Sequence, residues 1–263
     1  MKRFFSLILV LVLAFAISSC GEDIGVGKDS DTPAVSDSGT TAVDTEALNN
    51  APNFEIVEEI TVVHETEDGR KSTKVIRYPK LSGMNDEAKQ AEVNEIFRAV
   101  AERQFILNVP DVDIYVIEDT VFNYDVNKVE VTYVTPNFIS VKNSVYSMTS
   151  VSEYPSCPVY TVNIDLDKAE IVEESDIIGD FNVITSKFLA GDFSMVSGAE
   201  DLFENTNYED MILQYKSDYA SYPEIYFADG DLFICIDLVD ALGTSAIFSI
   251  PVETVKDALL ITP

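Results

Sequence analysis

YPKLSGMNDEAKQAEVNEIFRAVAERQFI, residues 78–106, is the stretch on which the fold turns. Within it Val93, Ile96, Phe97, Val100, Ala101 and Phe105 recur at steps of three and four, which lines them along one helical face. Glu92, Glu95, Arg98 and Glu102 fall on the opposite, water-facing side. Asn85 or Asp86 is placed to cap the first turn. No other stretch after residue 53 carries so long a helical pattern, and most of the chain beyond it reads as strand. The expected fold class is therefore α+β: antiparallel hairpins and a β-meander packed on one long helix, with additional short helices.

On the N-terminal side, Phe54–Thr66 and Lys71–Tyr78 are rich in Val, Ile and Thr and flank Glu67-Asp68-Gly69-Arg70, a hairpin signal. Pro79 is expected to end the second strand, and Gly83 to free the chain to turn. On the C-terminal side, strands are expected over Val112–Phe122, Val129–Val134, Phe138–Met148 and Val159–Leu166. A short acidic turn or helix comes next at Glu173–Ile178, then helices over Phe181–Leu189 and Tyr208–Tyr219. A second hairpin, Glu224–Ala228 with Leu232–Val239, surrounds Asp229-Gly230. In its second strand Leu232, Ile234, Ile236 and Leu238 alternate with Phe233 and Cys235, the pattern of a strand covered on both faces. A last strand at Ala246–Ile250 leads through Pro251 into a closing helix reaching Leu260.

The amino end carries an address. Lys2 and Arg3 precede an apolar run from Phe4 to Ile17, and Ile17-Ser18-Ser19-Cys20 closes it. This resembles a bacterial lipoprotein signal with its lipobox. The resemblance implies removal of residues 1–19, a diacylglyceryl thioether on Cys20, and acyl chains of the palmitate class holding the chain on a membrane. The run is shorter than the roughly 20 apolar residues that span a bilayer, and Glu22 and Asp23 come directly after it. Residues 20–53 are rich in Gly, Ser, Thr, Ala and Asp and lack aromatics, so they read as a lipidated flexible linker. Residues 54–263 form the extracytoplasmic domain, with a possible sub-boundary near 173–180.

Formal net charge is -29, and because Lys2 and Arg3 are the only charges before Cys20, the remainder carries -31. A chain this acidic repels phosphate backbones, which argues against nucleic acid as a partner. Cys157 and Cys235 remain after Cys20; they either pair as a disulfide or stay as separate buried thiols, and mid-strand Cys235 favours the second.

Several stretches together resemble a family of extracytoplasmic domains of unknown function in bacterial envelope proteins. That family includes the sensor domain of the lysozyme-responsive anti-sigma-V factor and the N-terminal, non-catalytic part of certain peptidoglycan deacetylases. The matching residues are Tyr78–Gly83, Val129–Tyr133, Ile139–Val141, Tyr160–Leu166, Ser175–Ile178 and Ala246–Pro251. The resemblance covers nearly all of Phe54–Leu260 and implies a mixed α+β fold with a binding or sensing role. It departs at Thr149–Ser156, which stands where members often carry Gly-Gly-Ala-His, so if that loop forms a shared ligand site this chain need not keep the ligand.

Motifs for chemistry are sparse. His64 is the sole histidine, so a zinc hydrolase lacks its nitrogen ligands. The Asp-x-Asp pairs Asp111/Asp113, Asp165/Asp167 and Asp229/Asp231 lack the rest of a calcium loop. No nucleophile elbow, phosphate loop, dinucleotide fingerprint or Cys-x-x-Cys is present. No catalytic residue, metal or cofactor is assigned, and the expectation is a protein that is not an enzyme. Candidate ligand-binding residues are Tyr154, in the divergent loop, and Tyr215, Tyr219 and Tyr222 from a tyrosine cluster that also holds Tyr208 and Tyr226. The expected partners are the membrane, through Cys20, and a basic protein such as lysozyme or a cell-wall polymer. The rival readings are an envelope hydrolase working through carboxylates and a structural lipoprotein.

Overall fold

A computed structural model of the chain describes residues 51–110, 112–117, 120–198, 207–217 and 222–262. Residues 1–50, with the signal and Cys20, lie outside the described residues. The described part belongs to one compact unit, Val43–Pro263.

Strand β1 (Asn53–Glu65) and β2 (Lys71–Ser82) pair antiparallel through the expected turn, where Gly69 takes a φ of +86°. Contrary to expectation, Pro79 does not end β2. The third strand pairs only with Thr73–Val75, so Pro79 sits where β2 has a neighbour on one side, a position that tolerates proline. Helix α1 (Glu87–Asn108) starts where Asp86 Oδ1 accepts from the Ala88 and Lys89 amides at 3.0 and 3.1 Å. Val93, Phe97, Ala101 and Phe105 are its buried stripe, with Ile96 and Val100 partly buried beside them.

Val112–Ile117 is helix α2, not the start of a strand. Three residues apart on one turn, Val112 and Tyr115 both pack on the first core, which overrides the strand propensity of this apolar run. Strand β3 (Phe122–Val134) begins where the Phe122 amide donates to Ser72 Oγ at 3.1 Å. It is succeeded by β4 (Phe138–Thr149), β5 (Val159–Asp165) and β6 (Glu170–Ile171). The six strands lie in chain order in one sheet, antiparallel except for β2 and β3. That parallel pair results from the helical crossover between them, which a hairpin could not supply.

Next come α3 (Glu174–Ile177), α4 (Phe181–Leu189), β7 (Ser194–Ser197), α5 (Tyr208–Ser217), β8 (Glu224–Ala228), β9 (Asp231–Asp237) and β10 (Ser245–Pro251). The last four strands form a second sheet in the order β7-β10-β9-β8. Asp229 and Gly230 take φ values of +50° and +84°, as the tight β8–β9 turn requires. The closing helix is shorter than expected: α6 (Val252–Val255) gives way to a single 3₁₀ turn at Lys256–Ala258. The chain is captured there by other backbone, the Gly179 amide donating to Ala258 O at 2.8 Å and the Leu260 amide to Ile177 O at 2.8 Å.

Among the described residues two large apolar cores result, with a small third cluster at Tyr226, Cys235 and Ile247. The first lies between α1 and one face of the six-stranded sheet, around Ile76, Phe97, Phe122, Tyr124, Ile139 and Ile164. The second lies between the four-stranded sheet and α4, α5 and the C-terminal turn, around Phe181, Ile184, Phe227, Ile234 and Phe248. Core membership changes between Ala169 and Val172, except that Phe138 and Tyr133 of the first sheet pack into the second core.

The two sheets meet along a polar seam. β8 is an edge strand, and its outward backbone groups are taken up by side chains from β4 and β5 instead of another strand. Thr161 Oγ1 accepts from the Ile225 amide at 3.2 Å, Asn163 Nδ2 donates to Ile225 O at 2.8 Å, and Ser140 Oγ accepts from the Phe227 amide at 3.1 Å. Ser140 Oγ in turn donates to Asn163 Oδ1 at 2.7 Å. Buried edge groups are thereby satisfied without extending the ladder.

Candidate functional site

The described residues among those singled out in the sequence fall in two places. Tyr154 is 42% exposed in the loop joining β4 and β5, whose tip is tied by the Thr149 and Ser152 hydroxyls at 2.7 Å. Tyr215 and Tyr222 pack on the second core: the Tyr215 hydroxyl accepts from the Asp237 amide at 2.7 Å, and the Tyr222 ring meets Phe181 edge-on at 5.2 Å. Tyr219 and Cys20 lie outside the described residues. Cys157, half-buried, and Cys235, buried, are not bonded to each other, and burial pushes the Cys235 thiol up.

Of the Asp-x-Asp pairs, Asp165 Oδ1 accepts from the Lys168 amide at 3.0 Å, Asp229 takes the first position of the β8–β9 turn, and Asp111 lies outside the described residues. Among the described residues no group of three or more His, Cys, Asp or Glu side chains is placed to hold a metal ion.

One carboxylate is set apart by its surroundings. Glu224, at the start of β8, faces the seam, and burial pushes its carboxyl up to about 7 despite hydrogen bonds from Thr161. Glu174 and Asp237 add like charge and are themselves raised by burial. Beside it, Lys142 pairs with Glu130 at 2.6 Å and lies 5.5 Å from the Tyr226 ring centroid, while Tyr226 stacks on Phe233 at 4.5 Å. The whole group is locked between the sheets. It joins them, and the Cys235 thiol opposite Glu224 in the β8–β9 register is buried, with its thiolate disfavoured there.

An open cavity of about 280 Å³ forms on the second core instead. Helix α4 is capped by Asp180, whose Oδ1 accepts from the Asn182 amide at 3.0 Å, and its buried face ends on Phe188. Gly191, at a φ of +78°, reverses the chain so that Phe193 returns over Phe188 with ring centroids 5.4 Å apart. β7 then lies along β10, whose Phe248 meets Phe188 edge-on at 4.8 Å. From the other side, Asn207 Oδ1 accepts from the Asp210 amide at 3.2 Å, opening α5 so that Tyr208 meets Phe248 edge-on at 5.1 Å. Four rings thus converge, with Asn207 and Glu209 completing the lining. A larger cleft of about 500 Å³ lies where the chain enters β1, between Pro52, Gly83, Lys89 and Pro136.

Of the cavity residues, the sequence marked only Tyr208, as a member of the tyrosine cluster. Phe188, Phe193 and Phe248 are ordinary core phenylalanines by pattern, and they meet through the packing of α4 on β10 and the pairing of β7 with β10.

No family model matches the chain, and no curated protein does. Among solved structures, a DUF3298 family member from Bacteroides fragilis superposes with a TM-score of 0.52 at 12% identity, over 80% of this chain and 94% of the other. A DUF3298 family protein from Pseudomonas aeruginosa gives a TM-score of 0.44 at 11% identity, over 79% and 94%. The Bacteroides likeness establishes a shared fold, that of a domain family without an assigned function.

Proposed function

We propose that this chain is a lipoprotein of the cell envelope, held through Cys20 on the extracytoplasmic face of a membrane, whose domain binds a basic protein and does not catalyse a reaction. The observation that carries this reading is a charge asymmetry. Residues 169–263 hold 19 acidic side chains against three basic ones, Lys187, Lys216 and Lys256, whereas residues 54–168 hold 20 against 11. On the first sheet and α1 the cations are largely neutralised locally: Lys74 pairs with Glu102, Arg77 with Glu58, and Arg98 with Glu59. The half built on the second sheet has few such partners to offer. A surface of one sign speeds encounter with a partner of the other and rejects partners of its own.

The test uses lysozyme as a basic probe and a neutralised variant, Glu173→Gln/Asp176→Asn/Asp257→Asn, whose three positions are all exposed. Binding is expected to weaken as salt rises from about 20 to about 500 mM, and to weaken further in the variant. Binding that ignores both salt and the variant, or no binding at low salt, overturns the reading. For the anchor, Cys20→Ala is expected to release the chain from the membrane fraction; retention at unchanged mass overturns it.

A further inference from the structure

The aromatic cavity beside α4 and α5 has a more specific chemistry than the surface around it. We propose that it receives an alkylammonium group, of which a lysine side chain is one source. This deepens the reading of a basic partner and rests on it, but its geometry is separate from the overall charge.

The walls come from Phe188, Phe193, Tyr208 and Phe248, and ring faces attract a cation within about 6 Å of their centroids. A fully apolar occupant would be served equally by such walls. The lining also includes Glu209, an exposed carboxylate on the first turn of α5, which supplies the opposite charge to an ammonium. The amino end of α5 would otherwise favour an anion, but Glu209 and Asp210 already occupy that turn with negative charge. A volume of about 280 Å³ suits one side-chain-sized group and is below the range of most drug-sized ligands. The long methylene stem of a lysine would lie on the rings with its ammonium at the carboxylate.

The tyrosine wall is held by close packing. A β-carbon added at Gly198 would stand 2.9 Å from the Tyr208 hydroxyl and 3.0 Å from Met195 Sδ, so even alanine there displaces the ring or its neighbour. Gly198 is thus a positioning residue for this wall.

The experiment titrates the purified full-length chain with n-butylammonium, n-butanol and butyrate, following the aromatic ring proton resonances by NMR. Saturable shifts with butylammonium, about tenfold tighter than with butanol and absent with butyrate, are expected. Glu209→Gln, at an exposed position, should weaken butylammonium about tenfold and leave butanol unchanged. Gly198→Ala should weaken both. Equal binding of butanol and butylammonium, preference for butyrate, or no saturable shift with any probe overturns the proposal. A lysyl peptide, N-acetyl-lysine amide, is the second arm: binding with the same loss in Glu209→Gln points to a polypeptide source, and binding of butylammonium alone to a free amine. Because no basic protein enters this titration, its failure leaves the salt-dependent capture of lysozyme standing, and the two failures are told apart.

Discussion

The Glu224 carboxylate accepts two hydrogen bonds from Thr161, from the amide at 2.6 Å and from Oγ1 at 2.7 Å, and so links the first strand of one hairpin to the sheet beneath it. Those two bonds favour the ionised form, yet burial outweighs them and holds the group near pH 7.

Stability should therefore fall as pH rises through the neutral range. An unfolded glutamate titrates near 4.5, so between there and about 7 the folded chain holds a proton that unfolding releases. The stabilisation is complete below 4.5 and lost above 7. Glu174 and Asp237, also raised, act in the same direction. Glu224→Gln keeps an acceptor for Thr161 and removes the charge; it should flatten the profile and add up to about 3 kcal/mol at pH 8. Urea unfolding at steps from pH 4.5 to 8 measures it. Parallel profiles for both proteins would contradict the assignment.

The seam depends on Asn163, which is 1% exposed and holds both Ile225 O and Ser140 Oγ. Asn163→Ala leaves the Ile225 carbonyl and the Ser140 O–H donor without this partner, although Ser140 Oγ still accepts from the Phe227 amide, and should cost about 2–3 kcal/mol. Ring probes in the two cores, Tyr124 and Tyr222, should then lose their coincident unfolding, because the polar tie between the sheets is weakened. A loss below about 0.5 kcal/mol with transitions still coincident would show that the apolar contacts at Tyr226 and Val159 suffice.

Arg77 clamps three strands. Its guanidinium meets Glu58 on β1 at 2.5 Å, and on β3 it pairs with Asp125 and donates to Val126 O at 2.7 Å, across the irregularity between Asp125 and Lys128. Arg77→Met should cost about 1–2 kcal/mol, allowing for a site open to water. A double-mutant cycle with Asp125→Ala should return a coupling of about 1 kcal/mol. Additive losses would mean that the pair contributes nothing beyond packing.

The two thiols should differ in reactivity. Cys157 is half-buried, whereas Cys235 is 1% exposed and its thiolate is disfavoured by burial. A disulfide-forming reagent at pH 8 is expected to modify Cys157 in the native protein and Cys235 only on unfolding. Protection of both thiols under native conditions, or a mass two hydrogens light, would refute this.

Much of the frame was readable from residue order. The α1 stripe comes from spacing, the Asp86 cap from its place ahead of that stripe, and both hairpins from Asp-Gly turns. The features that escaped reading depend on contacts distant in sequence. Val112–Ile117 carries strand-like residues but is held as a helix by the first core. β7 is only four residues long, too short for a periodicity. Thr161, Asn163 and Ser140 alternate with apolar neighbours as a wet face would; they are polar because they hold a strand edge, and two of them are buried. The cavity was illegible for the same reason, since Phe188 and Phe248 are separated by 60 positions and meet only once the second sheet forms.

β1 is the chain's point of entry and also an edge strand, and its first residue, Asn53, pairs with Ser82, the last of β2. A mechanical load arriving from the N-terminal side and directed away from β2 would meet the ladder one rung at a time, beginning at that pair. Peeling of this kind yields at far lower force than shearing all rungs together. The half of the molecule carrying the aromatic cavity would keep its shape while β1 was drawn out.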